Sequence, residues 1–171
     1  MATATSGAVN EIEIFRHNAR TTRKIVHLNA EGITHEESLI QPHPAGNCAN
    51  WVLGHLLSVY EGMLAVLRQE PVMGKEALKR YARGTPPLHN PAEAINFDQL
   101  LAAWDKAGDR IDAGLENLTP EMLDAPAPFS PSKNPNETVR TLLAVMSFHQ
   151  AYHAGQLGIL RRLAGKKGAI A

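Results

Sequence analysis

Long stretches of helical periodicity alternate along this chain with short stretches rich in proline or glycine. Apolar residues that recur at steps of three and four mark one face of a helix, whereas a half-buried strand needs strict alternation. Four segments carry the helical pattern. The first runs from about Val9 to Ala30, with Ile12, Phe15, Ala19, Thr22 and Val26 on one stripe. The second starts near Asn47 or Asn50, runs to about Arg68 ahead of Pro71, and turns Val52, His55, Leu56, Val59, Met63 and Val66 inward. In the third, Phe97, Leu101, Trp104, Gly108, Ile111, Leu115 and Leu118 repeat at alternating steps of four and three, the seam of a packed helix. Asn96 followed by Gln99 has the form of a capping box, and Pro120 closes the far end. The fourth opens on Asn134, Pro135 and Glu137, read as N-cap, first helical residue and capping-box acid, and ends at Gly165, which suits a left-handed C-terminal position.

Four amphipathic helices with no convincing strand predict an all-α four-helix bundle, one domain over residues 1–171. The connection from Gly74 to Asn96 is predicted to hold a short extra helix, Lys75 to Ala82, followed by GTPPLHNP, which is too rich in proline to be helical. Stiff and longer than a minimal bundle connection, it is a candidate lid. Pro126, Pro128, Pro131 and Pro135 stiffen the loop before the fourth helix. The fourth helix is expected to pack inside. Leu101, Trp104, Ile111, Leu142, Met146 and Leu160 are the expected core, while Ile14, Ile25 and Leu100 fall outside the narrow stripes and suggest a homodimer.

The fourth helix breaks its own pattern. Its seam reads Leu142, Met146, His149, His153, Gln156, Leu160, Leu163, with three consecutive polar positions inside an apolar stripe. Burying such groups without partners costs about 1–3 kcal/mol each, so something must satisfy them. Residues four apart on a helix stand one above the other, and two imidazoles there can converge on one ion at about 2.0–2.1 Å. His149 and His153 have that relation, and His55, in WVLGHLL, is the best third ligand from a facing helix. Gly54 beside it lets a neighbour approach closely. His17 and His27 fall on the flanks of the first helix, and His35, His43 and His89 in loops, with His43 or His89 the candidates for a pocket rim. Cys48 lies about 10.5 Å along the helix axis from His55, too far to share the ion.

Composition narrows the partners. The 171 residues hold 44% hydrophobic residues, 17 basic and 17 acidic residues and one cysteine. The neutral balance argues against nucleic acid, and the single cysteine excludes an intramolecular disulfide and a zinc-thiolate cluster. The N-terminal sequence lacks the basic start and apolar run of a signal peptide, and no stretch approaches the roughly 18 apolar residues of a membrane helix. A cytoplasmic location without a membrane partner is the expectation.

NWVLGHL at 50–56 and HQAYHAGQL at 149–157 resemble the DinB-like superfamily, which includes YfiT-like proteins. Its members share a four-helix bundle, a histidine in the second helix and a closing HxxxHxGQ motif. The resemblance implies a metal triad of His55, His149 and His153 holding nickel or zinc, and a homodimer. Gln156, Trp51, Ser58 and Tyr152 are placed around the three histidines, behind the ligands or on the pocket wall. Three neutral imidazoles leave an ion its full charge and an open position, where bound water becomes a nucleophile near neutral pH or a bound thiol loses its proton. Hydrolysis and transfer of low-molecular-weight thiols such as bacillithiol or mycothiol both fit a small-molecule substrate. Gln150 stands where HExxH proteases carry their basic glutamate, so peptidase chemistry of that kind is not expected, and Ser58, Tyr152 and Glu61 are weak replacements. A bundle in which the ion serves only stability, and a stress-response module, stay open as alternatives. An open coordination position facing a cavity would favour an enzyme, and a sealed site would favour the structural role. With the unperturbed imidazole pKa of about 6.5, metal binding is expected to weaken below about pH 6.

Overall fold

The computed structural model describes residues 10–43 and 46–170. Among them the regular structure is helical: α1 (Glu11–Ala30), α2 (His35–Ser38), α3 (Ala49–Val66), α4 (Phe97–Glu116), α5 (Pro120–Asp124) and α6 (Val139–Leu163), with single 3-10 turns at Lys79–Tyr81 and Pro91–Glu93. None of these helices is long and apolar enough to cross a membrane. The expected start at Val9 lies outside the described residues. Asn10 caps α1 through its side chain, and Glu11 and Glu13 place negative charge in the first turn, where the helix dipole favours it. Asn96 caps α4 as expected, accepting from the backbone of Asp98 and Gln99.

The four long helices share one core. α1 packs on α4 and α6, α3 packs on the same two, and α1 and α3 face each other diagonally. Trp104, Ile111, Leu142, Met146 and Leu160 are buried, while Leu101 is only half-buried. The central helix is α3, with 13 of 18 residues buried against eight of 25 in α6. This corrects the expectation for the fourth helix, whose outer face carries exposed Phe148, Tyr152 and Ile159. Its buried stripe runs through Met146, Gln150, Ala154 and Leu157, so the histidine pair sits on the flank of the stripe rather than at its centre. A 3.6-residue helix drifts away from a strict four-three reading over that length.

Local pairing moved other boundaries. α6 begins at Val139, capped by Thr138 in a box with Thr141, not at Asn134. Ala127 N–H donates to the Glu137 carbonyl and Val139 N–H to the Ala125 carbonyl, which holds residues 137–139 extended and postpones the helix. The Glu137 carboxylate instead accepts from Ser130, Ser132 and Thr141 hydroxyls. Pro120 does not merely end α4: it opens α5 under a Thr119 cap.

The connection between α3 and α4 is a docked strap. Leu78, Tyr81 and Leu88 are buried, and the Tyr81 hydroxyl donates to Asn50 Oδ1 at 2.9 Å while accepting from Ile95 N–H at 2.8 Å. Trp51 Nε1 donates to Thr85 Oγ1 at 3.1 Å, and Glu61 Oε1 accepts from the backbone of Val72 and Met73. These ties hold the connection against the bundle in this structure, with Lys75 and Arg83 on the wall of a pocket. They also explain why Lys75–Ala82 forms turns rather than a helix, since Tyr81 must reach the core. The ring of Tyr81 lies against Gly54, where an added Cβ would meet Tyr81 Cδ1 at 2.3 Å. Gly54→Ala should therefore lower stability by about 1–3 kcal/mol, outweighing the gain of up to about 1 kcal/mol that alanine brings to a helix. A urea-denaturation midpoint equal to or above that of the parent would show that the strap is not held there.

Candidate metal centre

Three imidazoles converge between α3 and α6. Ligand atoms of His55, His149 and His153 all lie within 4.8 Å of one another, and no other group of three among the described residues is so placed. His55 Nε2 and His149 Nε2 are 3.2 Å apart. Two corners of a tetrahedral shell with metal–nitrogen distances near 2.0–2.1 Å are separated by about 3.3 Å, so this pair has the spacing of two ligands.

Hydrogen bonds fix the outer nitrogens. His55 Nδ1 donates to the Tyr81 carbonyl at 2.8 Å, which leaves Nε2 with its lone pair. His153 Nδ1 donates to Gln156 Oε1 at 2.7 Å, and the Gln156 amide in turn donates to the Tyr152 hydroxyl at 3.3 Å. Orientation of this kind at the far nitrogen is how metal-binding imidazoles are held. His149 lacks it: its Nδ1 is buried without a partner. If His149 carries its proton on Nδ1, two bare Nε2 lone pairs face each other at 3.2 Å. A cation among the rings turns that repulsion into ligation, so the donor set fits a divalent metal.

Burial keeps the rings neutral. His149 is pushed down to about 4, first by desolvation and then by the neighbouring His153 and His55 rings. Desolvation lowers His55 and His153 in the same direction, and the positive charge of Arg83 reinforces it at His55 and His149. Trp51 stacks on His55 with ring centroids 4.8 Å apart, and Tyr152 meets His153 edge-on at 5.1 Å.

A pocket of about 290 Å³ opens against His55 and His149, with Ser58 on its wall. Gln156, Trp51, Ser58 and Tyr152 are thus all found around the triad. Glu61 is committed to the strap backbone, and Gln150 is buried with its amide towards the Leu56 carbonyl at 3.4 Å. His17, His43 and His89 are exposed and away from this pocket, and His27 pairs with Asp105 at 3.1 Å. Cys48 is buried at the start of α3 and stands outside the cluster. The Tyr81 carbonyl was not foreseen, because backbone groups leave no residue-type signal; Gly54, beside His55, was its one trace. Lys75, Arg83, Phe129 and Pro131, also on the pocket, come from the two irregular connections.

A core of four long helices with a histidine triad able to hold a metal defines the class of protein. The family model of the DinB superfamily matches residues 18–157, and the chain belongs to that superfamily. A crystal structure described as the conserved protein of a locus from Enterococcus faecalis has the same fold, with a TM-score of 0.70 at 17% identity, covering 93% of this chain and 100% of that one. No curated protein matches the chain.

Alanine at His55, His149 or His153 should abolish stoichiometric metal, measured by elemental analysis of untagged protein, with His17→Ala and His27→Ala as full-occupancy controls. Gln156→Ala should weaken binding about 10–100-fold, the usual effect of removing a ligand's supporting partner. The lowered pKa values shift the acid limit downwards: occupancy should survive pH 6 and fall as pH approaches about 4. The metal-free protein should lose stability over the window from about 6.5 to 4, where the unfolded chain binds the proton and the folded ring does not. Metal fully released at pH 6, or a His55→Ala protein that keeps it, would remove this assignment.

Proposed function

We propose that this chain is a metal-dependent enzyme built as a single four-helix-bundle domain, in which His55, His149 and His153 hold zinc or nickel and the reaction is transfer of a low-molecular-weight thiol to a small electrophile. The observation that carries it is the pocket that reaches His55 and His149 beside a three-residue donor set. A fourth protein ligand or a sealed core would favour a purely structural ion. A divalent metal at such a site supplies Lewis acidity, enough to deprotonate a coordinated thiol or to acidify water.

Thiol transfer is preferred over hydrolysis because of what the pocket lacks. Among the described residues no carboxylate lines it, and Glu61 and Gln150 are occupied elsewhere. The ion would acidify water as well as a thiol, so the difference lies at the leaving group: hydrolysis of an amide also needs an acid to protonate the departing amine. Thiol transfer to a carbon bearing a good leaving group does not: sulfur bonds to the electrophilic carbon, the bond to the leaving group breaks with its electron pair, and the thiol proton passes to solvent. Ser58 is positioned to orient a substrate rather than to accept a proton.

Zinc-loaded and nickel-loaded protein should conjugate thiols such as bacillithiol, mycothiol or cysteine to monochlorobimane, and both chelation and His149→Ala should abolish the rate. Conjugation at equal rate in the chelated protein would reject the proposal, as would metal-dependent ester or amide hydrolysis without any thiol transfer.

The functional unit is proposed to be a homodimer. The surface named from sequence does not support it evenly: Leu100 is fully buried and Ile25 half-buried, and of the three only Ile14 is exposed. A better basis is α6, where Phe148, Tyr152, Ile159 and Leu163 are 73%, 57%, 70% and 46% exposed along one face. Side chains of this kind on a helix suit a self-complementary contact. Light scattering should give a dimer mass that Phe148→Glu with Ile159→Glu converts to a monomer. A parent protein that is monomeric at high concentration would remove the idea.

A further inference from the structure

The pocket beside the triad has a charge bias that metal binding does not require. The exposed Lys75 and Arg83 line it, and among the described residues no carboxylate does. The whole chain balances 17 basic against 17 acidic residues, so this is local segregation rather than a general excess. Arg16, Arg20, Arg23, Arg80 and Arg140 each hold a carboxylate, whereas neither Lys75 nor Arg83 has an ion-pair partner among the described residues. Both belong to the strap, and the buried Tyr81 that anchors it lies two residues from Arg83.

The rest of the wall is apolar. Val59 and Met146 form its inner part, and Phe129 and Pro131 reach in from the connection before α6. Phe129 is 41% exposed, an aromatic ring on the pocket wall with about two fifths of its surface uncovered. At about 290 Å³ the space is near the lower end of small-molecule sites, which usually run from about 300 to 1,000 Å³. A site with two free cations on one part of its wall, an aromatic ring on another and imidazoles on a third discriminates by charge and by shape.

We propose that this pocket binds a small organic anion, its oxyanion headgroup between Lys75 and Arg83 and its apolar body against Phe129 and Met146. A guanidinium takes a carboxylate or a phosphate in two parallel hydrogen bonds, and an ammonium adds a point charge. The body then extends towards His55 and His149. In the proposed thiol transfer, this anion is the electrophile or the thiol carrier; that role rests on the metal reading, but the binding site itself does not.

The test uses zinc-loaded full-length protein and titration calorimetry at low salt with three probes: 3-phenylpropionate, phenyl phosphate and the neutral 3-phenylpropanamide. At least one anion should bind about tenfold more tightly than the amide, the difference expected for one charge-assisted contact. The stronger of the two identifies the headgroup as carboxylate or phosphate. Arg83→Ala and Lys75→Ala should each reduce that preference about fivefold or more, with metal stoichiometry unchanged. Gly62→Leu should block all three probes, since a Cβ at Gly62 already meets Phe129 at 3.5 Å and a longer side chain fills the pocket. Equal binding of amide and anions overturns the proposal, as does an undiminished preference in both charge variants. A wild-type protein that holds no metal yet binds the anion through Arg83 supports this site and rejects the metal reading, so the two failures are distinguishable.

Discussion

The Tyr81 carbonyl is where fold and site meet. It accepts the Nδ1 proton of His55 at 2.8 Å, and it can do so only because Gly54, one residue earlier on α3, has no side chain to hold the Tyr81 ring away. The ring is fully buried and its hydroxyl is tied at both ends, to Asn50 and to the backbone of Ile95. A connection of roughly thirty residues between α3 and α4 is thereby held in one position. That position sets the tautomer of His55, and it also sets where Lys75 and Arg83 stand. Remove the close approach at Gly54 and the imidazole orientation, the strap and the pocket wall all lose their reference.

Much of the fold was legible because helix packing writes itself as periodicity. Most of the α4 seam is legible and Asn96 marks its start, although Leu100 rather than Leu101 is the buried leucine of its first turns. α3 was harder, since a helix buried nearly all round has no contrast between its faces, and its central place was assigned to α6 instead. The start of α6 was misplaced for a different reason. Asn134, Pro135 and Glu137 satisfy the local chemistry of a helix start, but the pairing of residues 125–127 with 137–139 is a contact between segments and overrides it. α2 was missed although Thr34 and Glu37 form a complete capping box, because four residues carry no periodicity.

The triad was legible through an inconsistency. Polar side chains on an apolar stripe demand an explanation, and histidines four apart supply one. The supporting partners divide by whether they belong to a side chain. Gln156, on the same polar seam and in the motif that carries the family resemblance, was placed behind the ligands, and it accepts the His153 Nδ1 proton. Tyr81 offers a carbonyl, which any residue possesses, so nothing in its identity announced the role. Lys75 and Arg83 likewise looked like ordinary surface charges in a loop, and only the docking of that loop gives them a common direction.

The charges around the pocket point one way. Three imidazoles held neutral by burial bring no negative charge to a metal, so a divalent ion there would keep its full positive charge. Arg83 adds to that field at His55 and His149, with Lys75 on the same pocket wall, and the acidic side chain on α3, Glu61, is spent on the backbone of Val72 and Met73. Positive groups that share one pocket wall disfavour each other, and a guest that brings negative charge relieves that. A thiolate at the ion and an oxyanion between the two strap cations would each do so. A neutral substrate hydrolysed by bound hydroxide would relieve only the first, and it would find no base or acid side chain to move its protons. Burial keeps the imidazoles neutral, and the Arg83 charge that adds to this at His55 and His149 is the one the proposed anionic guest would meet.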